Sequence, residues 1–180
     1  MIVTPHAAFG YIILKNEVSA GETVDDNLIK GGSLIIYNPS TFEDGRFGDF
    51  DSGCVWLYIQ GDVRHTNIFT NEQKHRTRGY CNLETPEDVG FFKIDIMADT
   101  KMFCISPTMN EEKTPRVPHV TFFKLLAGQS QELPAGTKLF LADGELSING
   151  SNFTGARQIH VGSNARTATA VSDSYGFIFP

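Results

Sequence analysis

Apolar positions along the chain come in short runs separated by Gly, Pro, Asn and Asp. Nowhere do they keep the 3.6-residue spacing of an amphipathic helix of ordinary length. In the N-terminal part, residues 9–14, 33–37, 54–60, 63–69, 91–97 and 101–106 read as strands. Within 91–97 (FFKIDIM), Phe92, Ile94 and Ile96 point one way and Lys93 and Asp95 the other, the alternation of a half-buried strand. Between these runs, residues 16–32 form a polar stretch with room for one helical turn at 24–29. Residues 40–53 form a loop without apolar period, and 71–90 are irregular. Residues 107–118 (PTMNEEKTPRVP) are a Pro-rich loop.

From residue 119 the texture becomes regular. Six short strands, 119–126, 137–142, 145–149, 157–161, 168–172 and 175–179, follow at even spacing, the rhythm of a sandwich or small barrel. The stretch 128–150 organises this part. Gly128 opens a turn, Pro134 fixes φ, and Gly136 supplies a conformation other residues resist. Asp143-Gly144, between two apolar runs, predicts a tight hairpin. The expectation is one all-β domain over 1–180, a jelly-roll barrel or sandwich with long irregular loops and little helix. It divides into an irregular half (1–106), the Pro-rich loop (107–118) and a regular half (119–180). Segments 9–37 and 122–140 share an outline: strand, polar stretch holding Gly21 or Gly128, Gly-Gly or Pro-x-Gly, strand.

Composition sharpens this. The 180 residues suffice for a core without staples, and 14 Phe with 17 Gly favour strands and turns. A net charge of −6 argues against general nucleic-acid binding and against docking on an anionic membrane. The basic run 74–78 (KHRTR) reads as a solvated loop. Cys54, Cys81 and Cys104 form no CxxC pair and read as reduced thiols of a protein made in a cytoplasm. The first ten residues lack the features of a secretory leader, and no apolar run approaches the length of a membrane span.

Gly128, Pro134 and Gly136 stand at the spacing of the second motif of the cupin superfamily: Gly, five residues, Pro-x-Gly, two residues, His, three residues, Asn. Leu139 takes the His position and Asp143 the Asn position. Gly61, His65, Asn67, Glu72 and Gly79 follow the order of the first cupin motif more loosely. The chain therefore resembles a cupin-like double-stranded β-helix lacking the metal ligands. In metal-binding cupins these motifs supply His and Glu ligands to a transition metal. Here the resemblance leaves only His65 and Glu72 as weak candidates, and Leu139 cannot bind a metal. No metal and no other cofactor is expected, and Leu139 is expected in a filled core.

No other catalytic constellation emerges. The five histidines, His6, His65, His75, His119 and His160, include no HExxH and no His-x-His. His119-Val120-Thr121 matches the His-x-Thr of two-histidine phosphoesterases, but those need a second copy, and His65-Thr66-Asn67 fails at its third place. There is no Gly-x-Ser-x-Gly elbow, phosphate loop or GxGxxG. The acidic stretch 43–51 does not fit a calcium loop.

The apolar C-terminus, with Tyr175, Phe177, Ile178 and Phe179, is expected either in a sheet or in a subunit interface. Acidic charge, long loops and the absence of a catalytic set favour a non-enzymatic structural protein of a bacteriophage virion: head decoration, cement, tail or connector. Its partners would be further copies of itself, commonly as a trimer, and other virion proteins. No contact with nucleic acid or membrane is expected, and its location would be the virion or otherwise the cytoplasm. The alternative is a cupin-like small-molecule-binding protein or metalloenzyme, with His65, Glu72, Arg76 and His119 at the barrel mouth.

Overall fold

The computed structural model describes residues 2–9, 11–21, 54–67, 70–84, 92–106 and 120–180. The expected strand 33–37, the helical turn 24–29, the acidic stretch, the Pro-rich loop and His119 lie outside the described residues. The described residues form an all-β protein with no helix. The chain divides into two compact units, Met1–Pro118 and His119–Pro180.

The first unit contains β1 (Ile2–Ala8), β2 (Tyr11–Val18), β3 (Cys54–Asn67), β4 (Gln73–Thr77), β5 (Cys81–Glu84) and β6 (Phe92–Ser106). They form an antiparallel sheet of order β1-β2-β6-β3-β4, with β5 also on β3. Val55, Trp56, Leu57 and Tyr58 are buried in succession on β3, as are Met102 to Ile105 on β6, so the centre of the sheet is covered on both faces. Pro5 sits on the edge strand β1, where a missing N–H costs no ladder bond.

The second unit contains β7 (Thr121–Leu125), β8 (Ser130–Leu133), β9 (Lys138–Ile148), β10 (Ser151–Thr154), β11 (Arg157–His160) and β12 (Arg166–Phe179). Its order is β10-β9-β12-β7, with β11 on β9 and β8 on β12. Phe123, Leu125, Leu133, Leu139, Leu141, Leu146, Ile148 and Ile159 build one core cluster. Gly128 (φ +81°) and Gly136 (φ +78°) stand in the turns flanking β8, and Thr137 closes the Pro134 turn by donating its N–H to the Pro134 carbonyl at 3.2 Å.

Asp143-Gly144 is not a hairpin turn. β9 runs straight through it, and the two short strands expected on either side are one. The same correction applies to 54–60 with 63–69, to 91–97 with 101–106, and to 168–172 with 175–179. Each pair is one long strand, β3, β6 and β12 respectively. The breaks read from sequence are β-bulges, where pairing shifts register without ending: at Tyr58 to Val63 against β6, and at Ala170 to Gly176 against β9.

These bulges are built alike in the two units. Gly61 in β3 and Gly144 in β9 have φ of +97° and +95°, and each lies against the backbone of the opposing strand: Asp99 and Thr100, or Asp173 and Ser174. A Cβ on Gly61 would come within 2.7 Å of the Asp99 carbonyl oxygen. The Asp99 carboxylate accepts from the Ala20 N–H at 2.9 Å, and the Asp173 carboxylate from the Ala127 N–H at 2.9 Å. The Thr100 hydroxyl donates to the Ala98 carbonyl at 2.8 Å, and the Ser174 hydroxyl to the Ser172 carbonyl at 2.8 Å. The Gly21 N–H donates to the Ile96 carbonyl at 3.0 Å, and the Gly128 N–H to the Ala170 carbonyl at 2.8 Å. Strand order agrees as well: β2-β6-β3 carrying β4 and β5, and β7-β12-β9 carrying β10 and β11. The chain is two copies of one sheet plan.

At the C-terminus, Tyr175, Phe177 and Phe179 are 5%, 0% and 4% exposed in a single copy of the chain, and Ile178 is half-buried against the second unit's core cluster. Of the two fates expected for this apolar end, the sheet is the one observed. Phe177 pairs with both Phe140 and Phe122, so β12 is held from both sides. These aromatics need no second copy to cover them.

Candidate functional site

The site grows out of the bulge at Gly61. Beyond it, alternation on β3 puts Asp62 and Arg64 on one face and Val63 and His65 on the other. The first face is a surface ion-pair layer. Arg64 donates to the Asp95 carboxylate at 2.8 Å, and the His75 Nδ1 lies 2.8 Å from the Asp62 carboxylate. The second face is buried: Val63 and Ile96 are nearly inaccessible, and His65 is 8% exposed. β4 lies antiparallel at the sheet edge with Arg76 opposite Val63 and Lys74 opposite His65, which brings Arg76 to the His65 side.

Four side chains converge there. The buried Tyr58 hydroxyl lies 3.4 Å from the His65 Nε2. The Tyr58 and Tyr80 rings meet in a tilted contact with centroids 6.1 Å apart. The Arg76 guanidinium sits over the Tyr80 ring, 4.2 Å from its centroid. The Tyr58 N–H donates to the Tyr80 carbonyl at 2.9 Å, and the Gly79 N–H donates to the Tyr58 carbonyl at 2.8 Å. The turn that carries Tyr80 is thereby pinned to β3. Gly79 (φ +81°) makes that turn.

Burial, and secondarily the Arg76 charge, push the His65 pKa down to about 4. At neutral pH the imidazole is therefore uncharged, able to donate from one ring nitrogen and accept at the other. Burial pushes the neighbouring Cys81 thiol up to about 12, so it is protonated and a poor nucleophile.

The residues expected from the first cupin motif separate in the structure. His65 and Arg76 come together. Glu72 does not join them: its side chain is 60% exposed in the turn before β4 and pairs with Lys74 at 3.2 Å. Asn67 ends β3, its side-chain carbonyl accepting from the Thr70 N–H at 3.0 Å. Leu139 is 0% exposed in the second unit's core cluster. Among the described residues no group of three or more His, Cys, Asp and Glu is arranged to hold a metal ion. The run 74–78 is largely strand rather than loop, with Lys74 and His75 exposed and Arg76 half-buried.

Tyr58 and Tyr80 escaped the sequence reading. For Tyr58 a signal was present, since a Tyr inside the dense apolar run 54–60 must find a partner for its hydroxyl. In the second unit Gly144 holds the place of Gly61, so Leu146 and Ile148 hold the places of Val63 and His65. Both belong to the aliphatic core cluster. One copy of the sheet plan thus carries polar groups where the other is sealed.

No protein-family model matches the chain, and no curated protein matches it. Solved structures do. HutD from Pseudomonas fluorescens SBW25 superposes with a TM-score of 0.53 at 11% identity, over 98% of this chain and 85% of that one. YhhW from Escherichia coli gives 0.52 at 13% identity, over 94% and 80%. Ylba from E. coli gives 0.52 at 10% identity, over 98% and 81%. The fold is cupin-like. Among the described residues neither sheet closes into a barrel, and the arrangement within each unit is sandwich-like. YhhW has also been solved as a bacterial pirin in complex with nickel(II), with a TM-score of 0.52 to this chain at 12% identity, over 94% of this chain and 81% of that one.

Proposed function

We propose that this cupin-like chain is a small-molecule-binding protein whose site is the Tyr58–His65–Arg76–Tyr80 cluster of the first unit. One observation carries the reading. Polar and aromatic groups are gathered on a buried face at the edge strand β4, while in the second unit the place of His65 is filled by Ile148 and that of Arg76, by the same strand pairing, by Phe153. A packed scaffold has no use for a buried imidazole beside a guanidinium, because desolvating both costs free energy that an Ile–Phe pair avoids. Sites of this kind, mostly apolar with a few convergent polar groups, are where small ligands bind.

The reading is binding rather than metal chemistry. Nickel(II) bound to YhhW raises the question of a metal here, and the described residues do not fit one. His65 stands without Glu72, and a lone imidazole does not make a transition-metal site. The virion reading rested on acidic charge, long loops, the lack of a catalytic set and apolar ends, the last of which suited a partner copy. Burial of Phe177 and Phe179 in a single copy removes that motive.

The test is NMR of the full chain titrated with a mixed panel of neutral, anionic and cationic small organic molecules. At least one class should shift the Tyr58, His65, Arg76 and Tyr80 signals together, and Tyr58→Phe with His65→Gln should abolish the shift. Perturbations that cluster in the second unit instead, or that survive the double substitution, would overturn the proposal.

A further inference from the structure

We propose that this site takes a small organic carboxylate, seated on the guanidinium of Arg76 with its carbon skeleton against Tyr58 and Tyr80. The inference rests on the site assignment above and adds the charge of the ligand.

It follows from an account of the cations around the site. On β3, Arg64 is engaged twice by the Asp95 carboxylate, through Nε at 3.1 Å and Nη2 at 2.8 Å. On β4, Lys74 is engaged by Glu72 at 3.2 Å. Arg76 alone among these is not matched by a carboxylate from the described residues, and what holds it is the Tyr80 ring at 4.2 Å. A guanidinium held over a ring by its Cζ can still offer the N–H donors of its edge, which meet a carboxylate in two parallel hydrogen bonds. Such a preoriented donor loses little freedom on binding.

A single guanidinium, with Arg64 and Lys74 already paired to carboxylates, matches one negative charge. A phosphate dianion is better matched by two or more cations. A cationic ligand would meet Arg76 as a like charge, and a neutral one would leave the guanidinium half-buried without a counter-charge. Beside it, His65 is uncharged at neutral pH and adds neutral hydrogen-bonding capacity through Tyr58 rather than a second cation.

The test uses matched probes on the full chain: benzoate against benzamide and acetate against acetamide, followed by NMR at neutral pH. Benzoate should shift the Tyr58, His65 and Tyr80 signals at least about tenfold more tightly than benzamide, the usual worth of a charge-assisted bond. Arg76→Gln, which keeps a planar group over Tyr80, should weaken benzoate by about tenfold or more and benzamide by clearly less. Arg76→Lys should fall between. Equal binding of benzoate and benzamide at these signals, or benzoate binding indifferent to Arg76→Gln, overturns the carboxylate assignment while leaving the site standing. If neither the probes nor any neutral molecule moves these signals, both the ligand class and the site fall.

Discussion

At the scale of single residues, His65 decides most. Its imidazole is held neutral by burial first and by the Arg76 charge second, with a folded-state pKa near 4 against an ordinary value of 6.5. Above about pH 6.5 it is neutral in both folded and unfolded chains and adds no pH dependence. As pH falls below that, the unfolded chain takes up a proton that the folded chain refuses, so stability drops until the folded pKa is passed. The full loss, for a pKa lowered from 6.5 to about 4, is on the order of 3 to 4 kcal/mol. Urea unfolding followed from pH 7 to pH 4 should show this slope in the native chain and lose most of it in His65→Gln. Parallel pH profiles for the two proteins would mean that His65 is not buried uncharged. His65 itself was legible in the sequence, through a loose cupin motif. Its partners were not, because Tyr58 and Tyr80 join it through cross-strand register, which no local pattern encodes.

At the scale of elements, the long bent strands are the main lesson. Asp143-Gly144 has the composition of a hairpin turn, and local propensity alone favours that reading. Tertiary pairing overrides it: β12 continues alongside β9 past the pair, so the positive φ of Gly144 is spent on a bulge. The same holds at Gly61 beside Asp99 and Thr100. Gly61→Ala and Gly144→Ala should each cost more than about 2 kcal/mol, since both the φ and the opposing backbone resist a Cβ. Gly128→Ala meets no atom within 4 Å and should cost only about 1 kcal/mol for its φ. Chemical denaturation orders the three. A Gly144→Ala no worse than Gly128→Ala would remove the close approach as the reason for that glycine. The turns at Gly128, Pro134 and Gly136 were readable, because there the local rule and the fold agree.

At the scale of the whole molecule, the all-β class followed from period-two runs and turn residues. The change of texture at residue 119 coincides with the break between the compact units. Sequence left two uses open for the C-terminal aromatics, a sheet or a subunit interface, and did not choose between them. Phe177 is fully buried in one copy of the chain, with Phe140 and Phe122 on either side. Phe177→Ala should therefore lower unfolding free energy by about 3 to 5 kcal/mol, the range for a buried Phe, without altering the sedimentation coefficient of the protein that remains folded. Dissociation of an oligomer by this substitution, with the protomer's stability intact, would return the aromatics to an interface.

The twin bulges also bear on how much sequence this shape requires. In each unit a Gly, an Asp, a hydroxyl residue and a turn Gly are fixed by backbone geometry, while the positions facing inward from the same strands differ as much as His65 differs from Ile148. The bulge itself asks for few particular residues. A chain written this way can keep its outline beside HutD and YhhW at 11% and 13% identity. It can also rewrite one copy's inner face while the other keeps the fold standing. Likeness of shape can then stand where likeness of sequence is slight.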